Sequence, residues 1–257
     1  MGVSVIRKKS RTALGKSNLP GVDYTLNPYT GCMHGCVYCY ARLYCPQEVR
    51  ERWGAVVIVK ENIAEILAKE IRKKRKGRVM VSTITDAYQP VERNERLMRK
   101  VLEMLLNSGF KVSIQTKSDL VLRDLDLLTQ SKLADVGFTI TTLDEKLAKE
   151  IEPNATPPQR RVRALERLSS EGVKTWIFLG PIIPELDESE IKEIIEIARF
   201  TSSMLYYDIY RVRSFMKTGI EGILAEKARK MNWKTITTKI REICHRRGVK
   251  VASAFWY

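Results

Sequence analysis

Three of the five cysteines in this 257-residue chain lie within eight positions of one another. They are Cys32, Cys36 and Cys39. All three fall in the stretch NPYTGCMHGCVYCYAR (27–42), where Gly31 and Gly35 suit a loop whose backbone wraps closely around a bound group. Clustered cysteines in a chain of this length are typical of metal ligation, whereas disulfide frameworks belong to small secreted domains. We therefore expect these three thiolates to bind a metal centre.

Two kinds of metal centre fit this spacing. Three thiolates can hold three irons of a [4Fe–4S] cluster, which leaves the fourth iron free to bind a small molecule. The alternative is a zinc site in which His34 completes a Cys3His set. His34 lies between two of the cysteines, so its side chain would have to turn inward over a short span. The distant second cysteine pair of most zinc motifs is also missing, and the spacing therefore favours the iron–sulfur cluster.

Strand and helix patterns alternate along the chain after the cysteine loop. NIAEILAKEIRKK (62–74) spaces its apolar residues for a helix, and RVMVSTITD (78–86) predicts a buried strand that ends in polar residues. With VDYTL (22–26) as the first strand, about six β/α units can be counted. The predicted fold class is α/β, an incomplete (β/α)6 TIM-like barrel with a C-terminal helical extension. Chemistry in such barrels lies where the strands end, and the cysteine loop follows the first strand.

The chain is strongly basic, with a formal net charge of +15 at pH 7. The cations concentrate in residues 7–16, in RKKRKGR (72–78) and in residues 227–247. Such clusters favour DNA or RNA as a partner, and the alternative is a solvated surface rich in Lys, Glu and Ile. The sequence has no apolar run long enough to span a bilayer and no apolar segment of a secretory signal. We therefore expect a cytoplasmic protein with no membrane partner.

The segment CMHGCVYC (32–39) resembles the CxxxCxxC cluster motif of the radical S-adenosylmethionine (SAM) superfamily, with Tyr38 at the aromatic position before the last cysteine. Three further segments, TDAYQPVER, TKSDLVLRDLDLL and EPNATPPQRRVRAL, follow in the order found in the spore photoproduct lyase-like branch, which is related to DNA repair photolyases. This resemblance implies a partial barrel of the radical SAM type over residues 24–213. A basic N-terminal arm (1–23) and a basic helical extension (214–257) would flank it.

The resemblance also implies the cofactors and the reaction. Cys32, Cys36 and Cys39 would ligate a [4Fe–4S] cluster whose fourth iron binds SAM. An external electron donor would reduce the cluster, and SAM would be cleaved to a 5′-deoxyadenosyl radical that abstracts hydrogen from a substrate. The positions implied to bind SAM are Thr85 and Asp86 for the amino group, Lys117 and Arg161 for the carboxylate, Thr141 for the ribose and Tyr38 for adenine.

The sequence departs from spore photoproduct lyase at the hydrogen donor, which that enzyme supplies as a cysteine near its second strand. VMVSTITDAYQP (79–90) contains no cysteine, so the likeness does not extend to thymine-dimer repair. Cys45, just after the cluster loop, is a candidate donor because an S–H bond is weak, and burial as a small apolar residue is the alternative. The substrate class is unassigned, with nucleic acid the leading hypothesis. The alternatives are a radical SAM enzyme that modifies a protein and a non-enzymatic, metal-stapled nucleic-acid-binding protein.

Overall fold

The computed structural model describes residues 3–254. The strands in this part of the chain are β1 (Ser4–Lys8), β2 (Gly15–Lys16), β3 (Tyr24–Leu26), β4 (Tyr29–Thr30), β5 (Val56–Lys60), β6 (Arg78–Val81), β7 (Lys111–Thr116), β8 (Ala134–Thr139), β9 (Lys174–Ile182), β10 (Met204–Ile209) and β11 (Val251–Ser253). The α-helices are α1 (Gln47–Glu51), α2 (Ile63–Glu70), α3 (Glu92–Glu95), α4 (Leu97–Asn107), α5 (Leu125–Gln130), α6 (Glu145–Ile151), α7 (Pro158–Ser170), α8 (Glu188–Phe200), α9 (Gly219–Lys230) and α10 (Trp233–Arg246). Short 3-10 helices cover Tyr40–Tyr44 and Asp119–Asp124.

The main sheet has eight strands in the order β11-β10-β9-β8-β7-β6-β3-β2. Every neighbouring pair from β11 to β3 is parallel, and β2 pairs antiparallel with β3 at the edge. Helices connect the successive parallel strands, as such connections require. This arrangement confirms the predicted mixed α/β class with a parallel sheet. In the residues described, the sheet ends at β11 and at β2 and does not close into a barrel.

The two faces of the main sheet differ in character. One face consists of fully buried apolar residues, such as Val79, Val112 and Val136, that belong to a single core. The opposite face carries polar and aromatic residues near the amino ends of the strands. There, Asp135 accepts hydrogen bonds from Arg78 Nη1 at 2.7 Å and from Trp176 Nε1 at 2.9 Å. A sheet packed under helices on both faces would be apolar on both. The second face is therefore polar near the amino ends of the strands.

A second, three-stranded sheet supports the cysteine loop. It has the order β1-β5-β4, with β1 parallel and β4 antiparallel to β5. Ser4–Lys8, within the segment predicted as a basic arm, thus pairs residue for residue with Val56–Lys60. Gly31 follows β4 with a φ of +85°, and a Cβ there would lie 2.7 Å from the carbonyl oxygen of Val56. The loop therefore approaches this small sheet closely at a position where only glycine fits.

The C-terminal residues 214–254 add two helices and a strand to the main sheet. α10 packs on α8, and β11 pairs parallel with β10, while residues 255–257 of the predicted C-terminal extension lie outside the described part. Three cations of this region form ion pairs with acidic residues in or just before α8. The pairs are Lys227 with Glu185, Lys239 with Glu188, and Arg247 with Glu196. Part of the predicted C-terminal basic cluster therefore attaches these helices to the domain.

None of the helices within residues 3–254 combines the length and the apolar character needed to cross a bilayer.

Candidate metal and cofactor site

The cysteine loop lies at the carboxyl end of β3, on the edge of the sheet where the parallel strands end. Cys32 and Cys36 are buried, Cys39 is half-buried, and all three thiols are free. Two tight turns shape the loop, because Gly35 N donates to the carbonyl oxygen of Cys32 and Cys39 N donates to that of Cys36, each at 3.2 Å. The structure therefore gathers the three predicted ligands in one buried loop.

The donor set fits an iron–sulfur cluster. Burial raises the pKa of all three thiols, to about 12 at Cys36, while the nearby Lys117 ammonium lowers the pKa of Cys36 and Cys39. A metal group would therefore have to displace the thiol protons, as thiolate ligation does. Within residues 3–254, no three His, Cys, Asp or Glu side chains converge on a single-ion position. A cluster, in contrast, distributes its thiolates over separate irons.

His34 does not complete a zinc set with the cysteines. Its ring is 2% exposed, and Nδ1 lies 3.4 Å from Asp86 Oδ2. Burial lowers the pKa of His34 to about 4, against the opposing effect of the Asp86 carboxylate, so the ring is neutral at pH 7. The Cys3His alternative lacks support because, within the described residues, His34 and the cysteines are not arranged to hold a single metal ion.

Asp86 connects the ends of two neighbouring strands through its carboxylate. Its carboxylate accepts hydrogen bonds from Thr116 Oγ1 and from Lys117 N, both at 2.8 Å, and from Tyr88 N at 2.9 Å. These hydrogen bonds join the end of β7 to the segment after β6, next to His34. The Asp86 carboxylate thus has protein partners on both oxygens and holds two neighbouring strand ends in register.

Gln89 and Thr85 hold the backbone on both sides of Cys32. Gln89 is fully buried, its Oε1 accepts a hydrogen bond from Met33 N at 2.7 Å, and its Nε2 donates to Thr85 Oγ1 at 2.9 Å. Thr85 Oγ1 in turn donates to the carbonyl oxygen of Gly31 at 2.6 Å. The two side chains therefore fix the direction in which the first cysteine of the motif enters the loop.

We expect Gln89→Leu to loosen this loop. Leucine matches the volume of glutamine but leaves the half-buried Met33 N–H without its partner, which costs about 1 kcal/mol. The free energy of unfolding measured in urea should fall by that amount, and the iron retained after anaerobic desalting should fall with it. Gln159→Leu, on α7, which removes a bond to the carbonyl oxygen of Leu143, is the matched control. Equal iron retention in the two variants would contradict the assigned role of Gln89.

A buried carboxylate, Glu152, unites most of the other predicted positions. It is 2% exposed and follows α6. The Tyr38 hydroxyl of the cluster loop donates to Glu152 Oε1, and Thr141 Oγ1 donates to the same oxygen at 2.8 Å. Arg161 Nη2 lies 2.5 Å from Oε2, and Lys117 Nζ lies 4.0 Å from Oε1. Four residues implied by the family resemblance therefore meet on one carboxylate.

The charge of Glu152 is stabilised by its neighbours. Burial would raise the pKa of this carboxyl, but the Arg161 and Lys117 cations outweigh burial and hold the pKa below its usual range. Arg161 is itself 1% exposed, and it also donates to the carbonyl oxygens of Thr156 at 2.5 Å and Thr139 at 3.0 Å. The Arg161 guanidinium is thus engaged within the protein on all sides.

Lys117, in contrast to Arg161, is a predicted SAM-binding cation that protein partners do not fully engage. Its side chain is 16% exposed, and Nζ lies 5.7 Å from the centre of the Tyr38 ring. Burial works against the charged amine, yet the Cys36 thiol group and the Glu152 carboxylate together raise the pKa of Lys117. A protonated amine therefore stands beside the cysteine loop with a distant partner at 4.0 Å.

Cys45 lies beside Gly31 of the cysteine loop but outside the Glu152 network. Its Sγ donates to the carbonyl oxygen of Ala41 at 3.3 Å, and the side chain packs with Val49, Val56 and Ile58 beneath the small sheet. Burial raises the pKa of Cys45, so the thiol is protonated at pH 7. The structure thus gives Cys45 an apolar environment and does not bring it to the Glu152 network.

Two central residues, Glu152 and Gln89, were not singled out from the sequence. Both belong to segments that carry the family resemblance, EPNATPPQRRVRAL and TDAYQPVER. A buried acid beside several predicted basic and hydroxyl positions could have been suspected from the need to pair a buried arginine. The bonds of Gln89 to the loop, in contrast, depend on a contact across 56 residues.

Comparison with known proteins finds relatives both in sequence and in fold. An uncharacterized protein of Methanocaldococcus jannaschii is 34% identical over 212 residues, which cover 82% of this chain and 80% of that protein. The spore photoproduct lyase of Clostridium acetobutylicum is 24% identical over 191 residues, which cover 72% of this chain and 54% of the lyase. A solved spore photoproduct lyase variant with bound AdoMet and dinucleoside spore photoproduct shares the fold with a TM-score of 0.70 at 16% identity, over 98% of this chain and 82% of that chain.

The match to the family itself is broad. It extends over residues 26–198, from the end of β3 through the cysteine loop and the strand ends to α8. It therefore includes every residue placed in the site above. The chain belongs to the radical SAM superfamily and is an enzyme of that type.

Proposed function

We propose that this enzyme holds a [4Fe–4S] cluster through Cys32, Cys36 and Cys39 and binds SAM at the remaining iron. The observation that carries the proposal is the loop of three free cysteines, two buried and one half-buried, beside the Lys117 ammonium at the carboxyl edge of a parallel sheet. We further propose that β3 and β6 to β10 form the six strands of a partial (β/α)6 barrel over residues 24–213. An external electron donor would reduce the cluster, and transfer of this electron to bound SAM would break an S–C bond to give methionine and a 5′-deoxyadenosyl radical for hydrogen abstraction.

The side chains around the loop form two groups, those that are free to contact a ligand and those that are bound to other protein groups. Lys117 is proposed to contact the SAM carboxylate, because it is charged, partly exposed and only loosely paired. Thr141, Arg161 and Tyr38 are proposed to act through Glu152, which keeps Lys117 and the loop in place. Thr85 and Asp86 are proposed to align the first cysteine and the end of β7 through the hydrogen bonds described above. Charged side chains that are held in position in this way suit the binding of a zwitterionic ligand.

We expect Lys117→Met to weaken SAM binding while leaving the cluster intact. The methionine keeps the apolar stem but removes the charge that would face the SAM carboxylate, an interaction worth about 1.5–3 kcal/mol. The Kd for SAM should rise about tenfold or more in anaerobic equilibrium dialysis, with iron content unchanged. Lys111→Met, at the opposite end of the same strand, is the control. An unchanged Kd in Lys117→Met would remove Lys117 from the proposed SAM site.

We propose nucleic acid as the substrate class. The support is the basic surface of the chain and its likeness to spore photoproduct lyase, which has been solved with a dinucleoside lesion. Hydrogen return from Cys45 receives no support, because that thiol packs in a separate apolar cluster. Membership of the superfamily also sets aside the non-enzymatic alternative. A protein substrate remains the second candidate, to be distinguished by experiment.

The test is anaerobic incubation of the reconstituted enzyme with reductant and SAM, followed by mass spectrometry. The proposal predicts 5′-deoxyadenosine, in a yield that rises when DNA or RNA is added. No 5′-deoxyadenosine from a cluster-loaded enzyme would contradict the radical chemistry. A yield that rises with cell protein and not with nucleic acid would move the substrate class to protein.

A further inference from the structure

The strands of the main sheet begin along the edge opposite the site, and this edge is lined with exposed cations. Because β3 and β6 to β11 are parallel, their amino ends share one side of the sheet. Exposed cations occupy the turn before β6, the first positions of β7 and β9, and the residues just before β8 and β11. They are Arg72, Lys73, Arg75, Lys76, Lys111, Lys132, Lys174 and Lys250.

These eight cations lack acidic partners. Among residues 3–254, none of them takes part in an ion pair with Asp or Glu. The carboxylates at this edge are engaged with other groups. Asp23 accepts a hydrogen bond from Arg78 N, Asp135 pairs with Arg78, Glu171 pairs with Arg167, and Glu196 pairs with Arg199 and Arg247. The edge therefore carries a net positive charge, because Asp23, bound to the neutral Arg78 N–H, offsets only one of the eight cations.

The basic turn before β6 is also fixed in position. The Tyr24 hydroxyl donates to the carbonyl oxygen of Arg75 at 3.0 Å, and Lys74 Nζ lies 5.5 Å from the centre of the Tyr24 ring. Lys74 thus anchors the turn, while its neighbours on both sides point to solvent. This differs from the C-terminal basic cluster, part of which is consumed by ion pairs to α8 and the residues before it.

The dimensions of the edge match a nucleic-acid backbone. Neighbouring strands lie about 4.8 Å apart, so the row from β6 to β11, along which the cations lie, is a curve about 24 Å long. Phosphates of one DNA strand are about 3.4 Å apart along the helix axis, so such a row accommodates several consecutive phosphates. A membrane surface would need an apolar, amphipathic element beside the cations. The edge consists of short turns and not of an amphipathic helix. Of the large apolar side chains that are exposed in the described residues, Phe200 lies at this edge.

We propose that the amino-terminal edge of the main sheet is a binding surface for the phosphodiester backbone of nucleic acid, separate from the radical site. The six residues of β7 separate the two edges by about 20 Å. Nucleic acid held at this edge therefore leaves the cysteine loop and Lys117 open. The inference goes beyond the proposed function, since it holds whatever the radical acts upon.

The test is a quadruple variant of the basic turn, Arg72→Gln/Lys73→Gln/Arg75→Gln/Lys76→Gln, which leaves the anchoring Lys74 unchanged. Binding of the reconstituted enzyme to a fluorescein-labelled duplex of about 30 base pairs is measured by anisotropy between about 50 and 200 mM KCl. Each phosphate contact contributes about 0.9 to the slope of log K against log salt. We expect the slope to fall by about 2–4 and the affinity to fall tenfold or more. The same titration with duplex RNA distinguishes the two sources of phosphodiester.

A matched control removes the same charge elsewhere. Arg50→Gln/Arg52→Gln/Lys100→Gln/Arg163→Gln also changes four exposed cations without ion pairs in the described residues, on α1, its C-terminal end, α4 and α7. We expect this control to alter the affinity less than threefold, roughly the effect of net charge alone. Both quadruple variants should make 5′-deoxyadenosine at the wild-type rate.

The outcomes separate this inference from the proposed function. Equal loss in both variants would show that diffuse charge binds nucleic acid and would overturn the proposal. Binding to vesicles with about 30% phosphatidylserine, without binding to DNA or RNA, would assign the edge to membranes. A lower unfolding midpoint with unchanged binding would show that the lysines serve the helix ends. An enzyme that binds duplex through this edge but never forms 5′-deoxyadenosine would refute the proposed function alone.

Discussion

Replacing Cys36 by alanine is expected to abolish both the iron–sulfur cluster and SAM cleavage. Cys36 is the middle ligand of the motif, it is 6% exposed, and its carbonyl oxygen accepts bonds from Cys39 N and from Trp53 Nε1. The backbone of the loop would therefore survive the substitution, while one corner of the cluster would lose its ligand. Iron and sulfide analysis after anaerobic reconstitution should show loss of the [4Fe–4S] centre, and 5′-deoxyadenosine should fall to background.

Cys45→Ala and Cys244→Ala provide matched controls for the loss of one thiol. Cys45 packs in the small apolar cluster and Cys244 is fully buried on α10 in the main core. Both variants should keep the cluster and the activity, at a cost in stability of about 1 kcal/mol. A full cluster with turnover in Cys36→Ala would contradict the ligand assignment. Loss of turnover with an intact cluster in Cys45→Ala would restore Cys45 as a hydrogen donor.

Glu152→Gln is expected to have the second largest effect, through the loss of a buried charge. Glutamine keeps the shape but leaves the Arg161 guanidinium, 1% exposed, without its anion. Breaking one side of a buried ion pair costs about 3–5 kcal/mol. Urea unfolding of the cluster-free protein should show this loss. SAM binding should weaken as well, because Lys117 and Tyr38 both lose the carboxylate that positions them.

The pH dependence of stability offers an independent readout for Glu152. Its pKa in the folded protein lies below the ordinary value of 4.5, because the Arg161 and Lys117 cations outweigh the effect of burial. A carboxyl with a depressed pKa stabilises the fold at neutral pH and loses that contribution as the pH falls through the folded pKa. The wild type should therefore lose stability below about pH 4.5 more steeply than Glu152→Gln. Parallel curves for the two proteins would contradict the proposed charge state of Glu152.

The parts of the fold that follow from local patterns were accessible from the sequence. α2 and α4 carry apolar residues such as Ile63, Leu67, Val101 and Leu105 at helical spacing, and these residues are buried in the structure. The alternation of such helices with short apolar strands predicted the parallel sheet correctly. The cysteine loop was likewise recognisable, because the ligand spacing is a property of neighbouring residues.

The small sheet under the loop was not predicted, for a physical reason. Val56–Lys60 is a good strand pattern, yet its partners Ser4–Lys8 and Tyr29–Thr30 are short and lie far from it along the chain. Ser4–Lys8 also mixes exposed and half-buried residues, so no periodic apolar face marks it. Pairing across such distances is decided by tertiary packing, which local propensity does not record.

The site shows the same limit at the level of side chains. Position at a strand end suggested Lys117 and Thr141 as ligand contacts, but only the structure shows that Thr141, Tyr38 and Arg161 converge on Glu152. The sequence also could not show which basic clusters are paired. Lys239 lies against Glu188 on a neighbouring helix, whereas Lys73 faces solvent at the amino edge of the sheet.

The central claim is that only three protein ligands hold the cluster, so that one iron is left for SAM. A crystal structure of the anaerobically reconstituted enzyme with SAM tests it most directly. We predict thiolate bonds from Cys32, Cys36 and Cys39 to three irons, and the amino and carboxylate groups of SAM on the fourth. A side chain of this chain on that fourth iron, or a single zinc ion in place of the cluster, would contradict the account.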